Sequence, residues 1–561
     1  MKLHKYIGLM IGAAAMLTAT SCSDWDDYNE VKSDAVNPSA DLTLWENISQ
    51  NAELSKFAAI IKKVGFDDEL HSAHAYTVWA PLNGTYDDQA LLQADNKEVL
   101  YQFVKNHIAE YNHAATGAFS KRIRSLNLKS HIFEGSSAGY TYSGMKIQKA
   151  NLPSVNGTMH ILAQEAPFLP NVYEYIQEQN GEDSIANHFH KYEYTYLDEE
   201  RSVVGPIVDG RQTYIDSVMV TENTLLRFLN AGLEEEDSSY LFLYPTNNAW
   251  NKTYDKMKSY YKYINTLKSQ DLANSTSNSD IQTLQVSSFD TGYMTDSLVK
   301  RNIIRNLAYS YNDTYNAFLQ TNQVGATDSL RTTTHNKLSN PEEILKATTS
   351  THEMSNGKVY FMDSLEFHPW ETFAPMITAS AINHRARILT GSSHVVRVDD
   401  PDSTKVDFSQ INGDLRYAWV ESTSNYSKPE LDIFLPNVLS TTYNIYLVIV
   451  PANISLADSA AETKPNQINV KLNYCNEKGA LADIDLGTYT NDTTKVDTLF
   501  IGQHTFPVCY AGLDNYYPNI KITSPFSVFN KTLMETYTRD LRIAAIILKP
   551  VEMEEYEKGG N

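Results

Sequence analysis

Three motifs occur twice in this chain in the same order, and no other feature restricts its fold as much. Tyr76-Thr-Val-Trp-Ala-Pro81-Leu-Asn83-Gly-Thr-Tyr86 returns as Tyr240-Leu-Phe-Leu-Tyr-Pro245-Thr-Asn247-Asn-Ala-Trp250, an offset of 164. Asn106, Tyr111 and Asn112 return as Asn306, Tyr311 and Asn312, and Asn156-Gly157-Thr-Met-His160 returns as Asn356-Gly357-Lys-Val-Tyr360, both at an offset of 200. Ordered self-similarity of this kind implies two copies of one supersecondary unit. The offset grows by 36 after Trp250, so the second copy holds an insertion of that length. The polar stretch Lys268 to Ser288 is its expected place, as an exposed loop.

Each motif has a local structure. The apolar run Tyr76 to Trp79 reads as a buried strand, which Pro81 terminates because it has no N–H to donate. Asn83 offers a side chain that caps the following turn or helix. Upstream, Leu54, Phe57, Ala58 and Ile61 fall at i, i+3, i+4 and i+7, the pattern of an amphipathic helix. Asn156-Gly157 predicts a hairpin turn, with Met159 to Leu162 as the outgoing strand.

The strand-Ala-Pro-x-Asn box containing Pro81 and Asn83, and the later Asn-Gly-x-x-His-x-Leu box containing Asn156, Gly157 and His160, resemble the two signature boxes of fasciclin-like domains. His107, in Phe103-Val-Lys-Asn-His-Ile, fits the histidine usual between them. The second copy keeps Pro245, Asn247, Asn356 and Gly357 but has Leu307, Tyr360 and Tyr244 in place of His107, His160 and Ala80. The resemblance implies α+β domains, a β-sandwich or wedge with flanking helices, at 38–168 and, with the surface insertion, at 169–370. It also implies extracellular adhesion and interaction modules with no common catalytic activity.

Past Trp370 a period of two takes over. Ile468, Val470, Leu472 and Tyr474 alternate with polar residues, and Tyr443 to Ile449 reads as a strand buried on both faces. Further strands are expected at Arg416–Glu421, Pro429–Leu435, Asp497–Phe506, Asn519–Thr523 and Leu541–Leu548, giving an all-β sandwich over 371–561. The segment Leu431 to Leu447 resembles jelly-roll carbohydrate-binding modules. Tyr417, Trp419, Tyr426, Tyr516 and Tyr517 are the candidate ligand contacts, because aromatic rings stack on sugar faces and anchor interfaces at low entropic cost. Trp419, lying in a strand, fits a core position equally well. The acidic tail Glu552 to Asn561 is expected to fray.

The N-terminus supplies an address. Lys2 and Lys5, the apolar run Tyr6 to Leu17 and the small residues before Cys22 form a secretory signal peptide over 1–21, too short in its apolar centre to span a bilayer. The site ending on Cys22 resembles a bacterial lipobox, with Ala19 where leucine is usual, so Cys22 is the expected lipid anchor. Asp24, Asp26 and Asp27 resemble the signal with which gram-negative gut anaerobes export lipoproteins to the outer face of the outer membrane, and 22–37 is the expected acidic tether. The chain's 46 basic and 68 acidic side chains leave a net charge of −22. That balance excludes a nucleic-acid partner and suits a self-repelling surface protein. Outside the cytoplasm the two other cysteines, Cys475 and Cys509, either pair or stay free.

Catalytic patterns are sparse. Gly135-Ser136-Ser137-Ala138-Gly139 spells a nucleophile elbow, but its strand-like flanks predict a hairpin. His188 and His190 lie in an apparent helix without a spaced carboxylate. Asp399, Asp400, Asp402 and Asp407 form an acidic loop without the spacing of an EF-hand. No catalytic residue, metal or cofactor is assigned. Together the resemblances imply a non-enzymatic surface lipoprotein anchored in the outer membrane, an accessory to a SusC/SusD-type TonB-dependent nutrient uptake complex that takes a glycan or peptide. An adhesin for host matrix or cell–cell contact is the alternative, and a hydrolase in the β-sandwich a second one.

Overall fold

A computed structural model describes residues 38–559 except 180–183, 201, 209, 217, 271–280, 286–289, 322, 384–386, 391, 407–413, 425, 427, 459–462, 514–517 and 528–529. The signal peptide, Cys22, Asp24, Asp26, Asp27, the tether, Asp407, Tyr516 and Tyr517 lie outside the described residues. The chain is α+β in its first two thirds and β-rich beyond.

In the first copy the strand Tyr76–Pro81 is buried at all six positions. It lies between Ile108–Glu110, antiparallel, and Gly157–Leu162, parallel, with Tyr76 opposite Gly157 and Pro81 opposite Leu162. Burial on both faces is why its sequence is an apolar run and not an alternation. The sheet continues through Met145–Ser154, Gly139–Tyr142, Ser130–Ser136 and Phe119–Arg124, seven strands in all. The helix Ser55–Lys63 turns Phe57, Ala58, Ile60 and Ile61 inward. They join Val78, Ala80 and Ile161 in one core, while Trp79, stacked on Tyr142 at 4.1 Å with Phe133 edge-on at 5.5 Å, fills another.

The second copy repeats the first four of these strands in the same order as Ala308–Ser310, Tyr240–Pro245, Gly357–Met362 and Thr348–Met354. Tyr240 stands opposite Gly357 and Pro245 opposite Met362. The two signature boxes therefore occupy matching places. Both copies also open on a helix with a capping box, Thr43 with Glu46 before Leu44–Ser49 and Asn171 with Glu174 before Val172–Glu178. Those helices are offset by 128, from Leu44 to Val172, so the second copy contains two insertions where the motif offsets indicated one. The additional one is a β-arm: Glu193–Leu197 pairs with Met219–Asn223 at its base, and Val203–Val208 with Arg211–Asp216 farther out.

The expected insertion follows the helix Asn247–Lys258 and contains the hairpin Thr266–Gln270/Ile281–Gln285 in place of a plain loop. Its near end is not a free surface excursion. Leu267 is buried in the core of the C-terminal β-sandwich. Cys509 N donates to Lys262 O and Ser440 N to Tyr260 O, both at 2.9 Å, and Tyr263 Oη donates to Ala511 O at 2.6 Å. The physical reason is the run Tyr260, Tyr261, Tyr263, Ile264 and Leu267, which has apolar area to bury just before the polar stretch begins.

The C-terminal region is a sandwich of two antiparallel sheets. One has strands in the order Ser392–Arg397, Arg416–Glu421, Leu541–Pro550, Thr442–Ile449 and Asp497–Thr505, with Ile377–Ser380 also paired to Leu541–Pro550. The other runs Arg387–Thr390, Glu430–Phe434, Asn519–Thr523, Gln467–Cys475 and Leu481–Thr490. Ile433, Ile445, Leu447, Val470, Ile520 and Ile543 meet between them. Leu481–Thr490, absent from the sequence expectations, is an edge strand that alternates exposed and half-buried positions. The tail does not fray as expected. Val551–Gly559 is a helix whose Glu552 accepts from Tyr260 Oη at 2.6 Å, whose Glu554 accepts from Asn444 Nδ2 and Tyr446 Oη, and whose Tyr556 packs on His368 and Trp370.

The copies meet through a buried charge network. Lys129, 2% exposed, reaches from the first copy to Glu174 and to Glu236 Oε1, at 2.9 Å from the latter. Glu236 also accepts from Ser355 Oγ at 2.9 Å and Asn171 Nδ2 at 3.3 Å. Among the described residues no helix is long and apolar enough to cross a membrane.

Candidate functional site

The signature boxes prove to be a scaffold. Asn156 Oδ1 accepts from Leu44 N at 2.8 Å, and its Nδ2 donates to Leu70 O and Ser72 O at 2.9 and 2.7 Å. Asn356 repeats the pattern with Val172 N at 2.9 Å, Leu233 O at 2.8 Å and Glu235 O at 3.1 Å. Each asparagine thus ties the first helix of its copy to the segment before the central strand, which in the first copy is the end of the helix Asp67–His71. Gly157 and Gly357 sit at φ 151° and 146°, and a Cβ on either would stand 1.9 Å from the carbonyl oxygen of Tyr76 or Tyr240. Glycine is required there by close strand approach as much as by the turn.

Asn83 acts on the preceding helix, not the following one. Its Oδ1 accepts from Lys56 N at 2.9 Å, at the start of Ser55–Lys63, as Asn247 Oδ1 accepts from Ser184 N at 2.9 Å. The helix after Asn83 is capped by Asp87. His107 Nδ1 donates to Phe103 O at 2.7 Å and Nε2 accepts from Ala166 N at 2.9 Å. His160 Nε2 donates to His113 O at 2.9 Å and Nδ1 accepts from Asn151 N at 3.3 Å. One donor and one acceptor per ring is the pattern of neutral imidazole. Burial pushes both pKa values down to about 4, so both are neutral at pH 7.

The three described sandwich candidates differ in their surroundings. Tyr417 is buried with Val398, Leu415, Val448 and Ala544 on the outer side of its sheet, which removes it as a ligand contact. Trp419 packs half-buried at the edge of the same cluster, under the Arg542 guanidinium at 4.9 Å, and its Nε1 donates to Asp540 at 3.3 Å. Period-two alternation marks residues 417 and 419 as sharing a face but cannot say that loops cover it. Tyr426 is 77% exposed. Cys475 and Cys509 are buried thiols and form no disulfide with each other; burial pushes Cys509 up to about 12.

The remaining patterns resolve locally. Ser136 pairs with Gly139 across a hairpin, so the elbow pattern is a turn. His188 is buried in Ser184–His190 beside Tyr192 and Trp250. Asp399 pairs with Arg397, Asp400 accepts from Ser455 Oγ and Asp402 caps Thr404. Among the described residues no three His, Cys, Asp or Glu side chains gather to hold a metal.

A site missed by the sequence reading lies at the base of the β-arm. A cleft of about 730 Å³ opens between the helix Val172–Glu178, the strands Glu193–Leu197 and Met219–Asn223, and the helix Thr224–Leu229. Tyr194, Glu222, Arg227, Gln177, Tyr173 and Glu234 line it. The Tyr194 and Tyr196 rings lie near-parallel, 5.9 Å apart, and both hydroxyls donate to Glu222, that of Tyr196 at 2.8 Å. These bonds hold the Glu222 carboxyl below the usual carboxylate range, so it is ionised at neutral pH. The signal that could have found the site is the match between Thr43-x-x-Glu46 and Asn171-x-x-Glu174, which exposes the second insertion.

Residues 52–164 match the family model described as the fasciclin domain. No curated protein matches the chain. Among solved structures, the chain is similar to a FAS1 domain pair from the insect cell adhesion molecule fasciclin I, at 12% identity over 58% of this chain and 99% of that chain, with a TM-score of 0.20. It is also similar to the C-terminal family 22 carbohydrate-binding module of Clostridium thermocellum Xyn10B, at 12% identity over 31% of this chain and 92% of that chain, TM-score 0.19. A third is the CBM22-2 xylan-binding domain of Paenibacillus barcinonensis Xyn10C, at 11% identity over 31% and 98%, TM-score 0.18. The first copy is thus a fasciclin-like domain, and the second repeats its parallel strand pair, its hairpin glycine and its asparagine ties.

Proposed function

We propose that this chain is a non-catalytic binding protein, held on the outer face of the outer membrane by a lipid on Cys22 and working beside a SusC/SusD-type transporter to which it presents a glycan or peptide. One observation carries the binding reading. In the segment that matches the fasciclin domain, the motif side chains Asn83, His107, Asn156 and His160 are all engaged by the protein's own backbone. Groups so engaged organise surfaces and do not turn over a substrate. The acidic balance of the chain supports a soluble body standing off the anionic membrane surface.

The test joins the anchor to the partner. Cys22→Ala should move the full chain from the membrane fraction to the soluble fraction after a high-salt wash, and retention would end the lipid-anchor reading. Crosslinking on intact cells followed by purification of the full chain should recover a TonB-dependent transporter. Recovery of a host matrix protein without a transporter would replace uptake with adhesion.

A further inference from the structure

We propose that the cleft at the base of the β-arm in the second copy is a binding site for a neutral glycan, a step that rests on the binding reading above and gives it a place and a ligand class. Its volume of about 730 Å³ falls in the range of ligand pockets, roughly 300–1,000 Å³. Its walls come from separate elements: Tyr194 and Glu222 from the two base strands of the arm, Arg227 from the helix after it, and Gln177 from the capped first helix. The first copy has no arm between its corresponding helices, Ser55–Lys63 and Asp67–His71, so it builds no such wall.

The chemistry on these walls is that of sugar recognition. A pyranose offers one apolar C–H face and a rim of hydroxyls that both donate and accept. Tyr194 is an exposed ring whose hydroxyl, like that of Tyr196, is tied to Glu222. The tie holds the ring in place before a ligand arrives, which lowers the entropic cost of stacking on it. Arg227 is exposed on the cleft, and its guanidinium makes no hydrogen bond or ion pair among the described residues. Its planar fork of five donors suits two neighbouring hydroxyl oxygens. Gln177 donates one amide hydrogen to Glu193 and has an amide oxygen that can accept.

Charge narrows the class further. Glu222 and Glu234 outnumber Arg227 on the lining, and Glu174 on the same wall is already paired with Lys129. An acidic or sulfated glycan would meet a net negative surface. A basic peptide would find Glu222, the exposed carboxylate, already bonded to the Tyr194 and Tyr196 hydroxyls and within the field of the Arg227 guanidinium. A neutral sugar avoids both conflicts.

Calorimetric titration of the purified full chain decides the matter, with soluble xylan, mixed-linkage β-glucan, α-mannan and starch as neutral probes, and heparin and polylysine as charged ones. At least one neutral glycan is expected to bind, and Tyr194→Ala and Arg227→Ala each to weaken that binding about tenfold, the equivalent of about 1.4 kcal/mol. Tyr194→Phe, which keeps the ring and loses the tie to Glu222, should fall between wild type and Tyr194→Ala. Tyr426→Ala, on the sandwich, should leave binding unchanged. If a neutral glycan binds but the cleft variants bind it as tightly as wild type, the cleft is wrong while the binding reading stands. If heparin or polylysine binds and no neutral glycan does, the ligand class is wrong. If no probe binds, the proposal falls, and the transporter crosslink still judges the uptake reading separately.

Discussion

Replacing Lys129 by methionine should loosen the junction between the two copies more than any other single change of charge. The side chain is 2% exposed, with Nζ between Glu174 and Glu236, and Glu236 is itself only 6% exposed. Methionine fills much of the same apolar space but leaves Glu236 buried without a counter-ion. Removing one partner of a buried pair costs ~3–5 kcal/mol, because the remaining charge keeps its desolvation penalty and loses the attraction that offset it. Lys129 belongs to the first copy and both glutamates to the second, so the loss falls on their docking. In urea, with a slope of about 1–3 kcal/mol per M, the midpoint should drop by at least about 1 M. The triple variant Lys129→Met, Glu174→Gln, Glu236→Gln should recover most of that loss, since no uncompensated charge stays buried. A single variant that costs less than about 1 kcal/mol, or a triple variant no more stable than the single one, would refute this account of the junction.

Gly157→Ala places a Cβ 1.9 Å from Tyr76 O; the clash is with backbone, so the parallel strands must separate, and a loss of at least ~3 kcal/mol is expected by chemical denaturation. The first copy should be acid-sensitive through His107 and His160, whose folded pKa values of about 4 lie below the usual 6.5. The unfolded chain takes up their protons first, so stability is complete above pH 6.5 and falls toward pH 4 by ~1.4 kcal/mol per unit for each group; a flat midpoint between pH 7 and 4.5 would contradict this. Asp432 behaves in the opposite sense. Burial raises its pKa from 3.8 to about 7, so the folded state holds the extra proton and stability falls as pH rises between those values. Asp432→Asn should therefore stabilise the chain at pH 8 and change little at pH 4, as read from thermal midpoints at the two pH values.

Strands whose register is written into neighbouring residues were legible in advance. Tyr76–Pro81, Arg416–Glu421 and Asn519–Thr523 follow from apolar runs, alternation and a proline stop, all local properties of the chain. The duplication was legible too, because close backbone approach at Gly157 and Gly357 tolerates no side chain, and that demand leaves a mark at matching positions.

By itself, the sequence determined that two copies of one α+β unit precede a β-sandwich, and it marked the strands that carry an apolar run or a clear alternation, but not the β-arm or the edge strand Leu481–Thr490. Tertiary structure alone decided which partners distant polar and aromatic groups find. Asn83 caps a helix 27 positions earlier, Tyr417 is covered by loops, Cys475 and Cys509 form no disulfide, and the tail helix docks through Glu552 and Glu554. The cleft under the arm belongs to the same group, since Gln177, Tyr194 and Arg227 meet only when three elements pack. The reason is physical. Periodicity and turn chemistry act over a few residues and are printed in order along the chain, whereas burial and hydrogen-bond partnership depend on distances that only the packed fold sets.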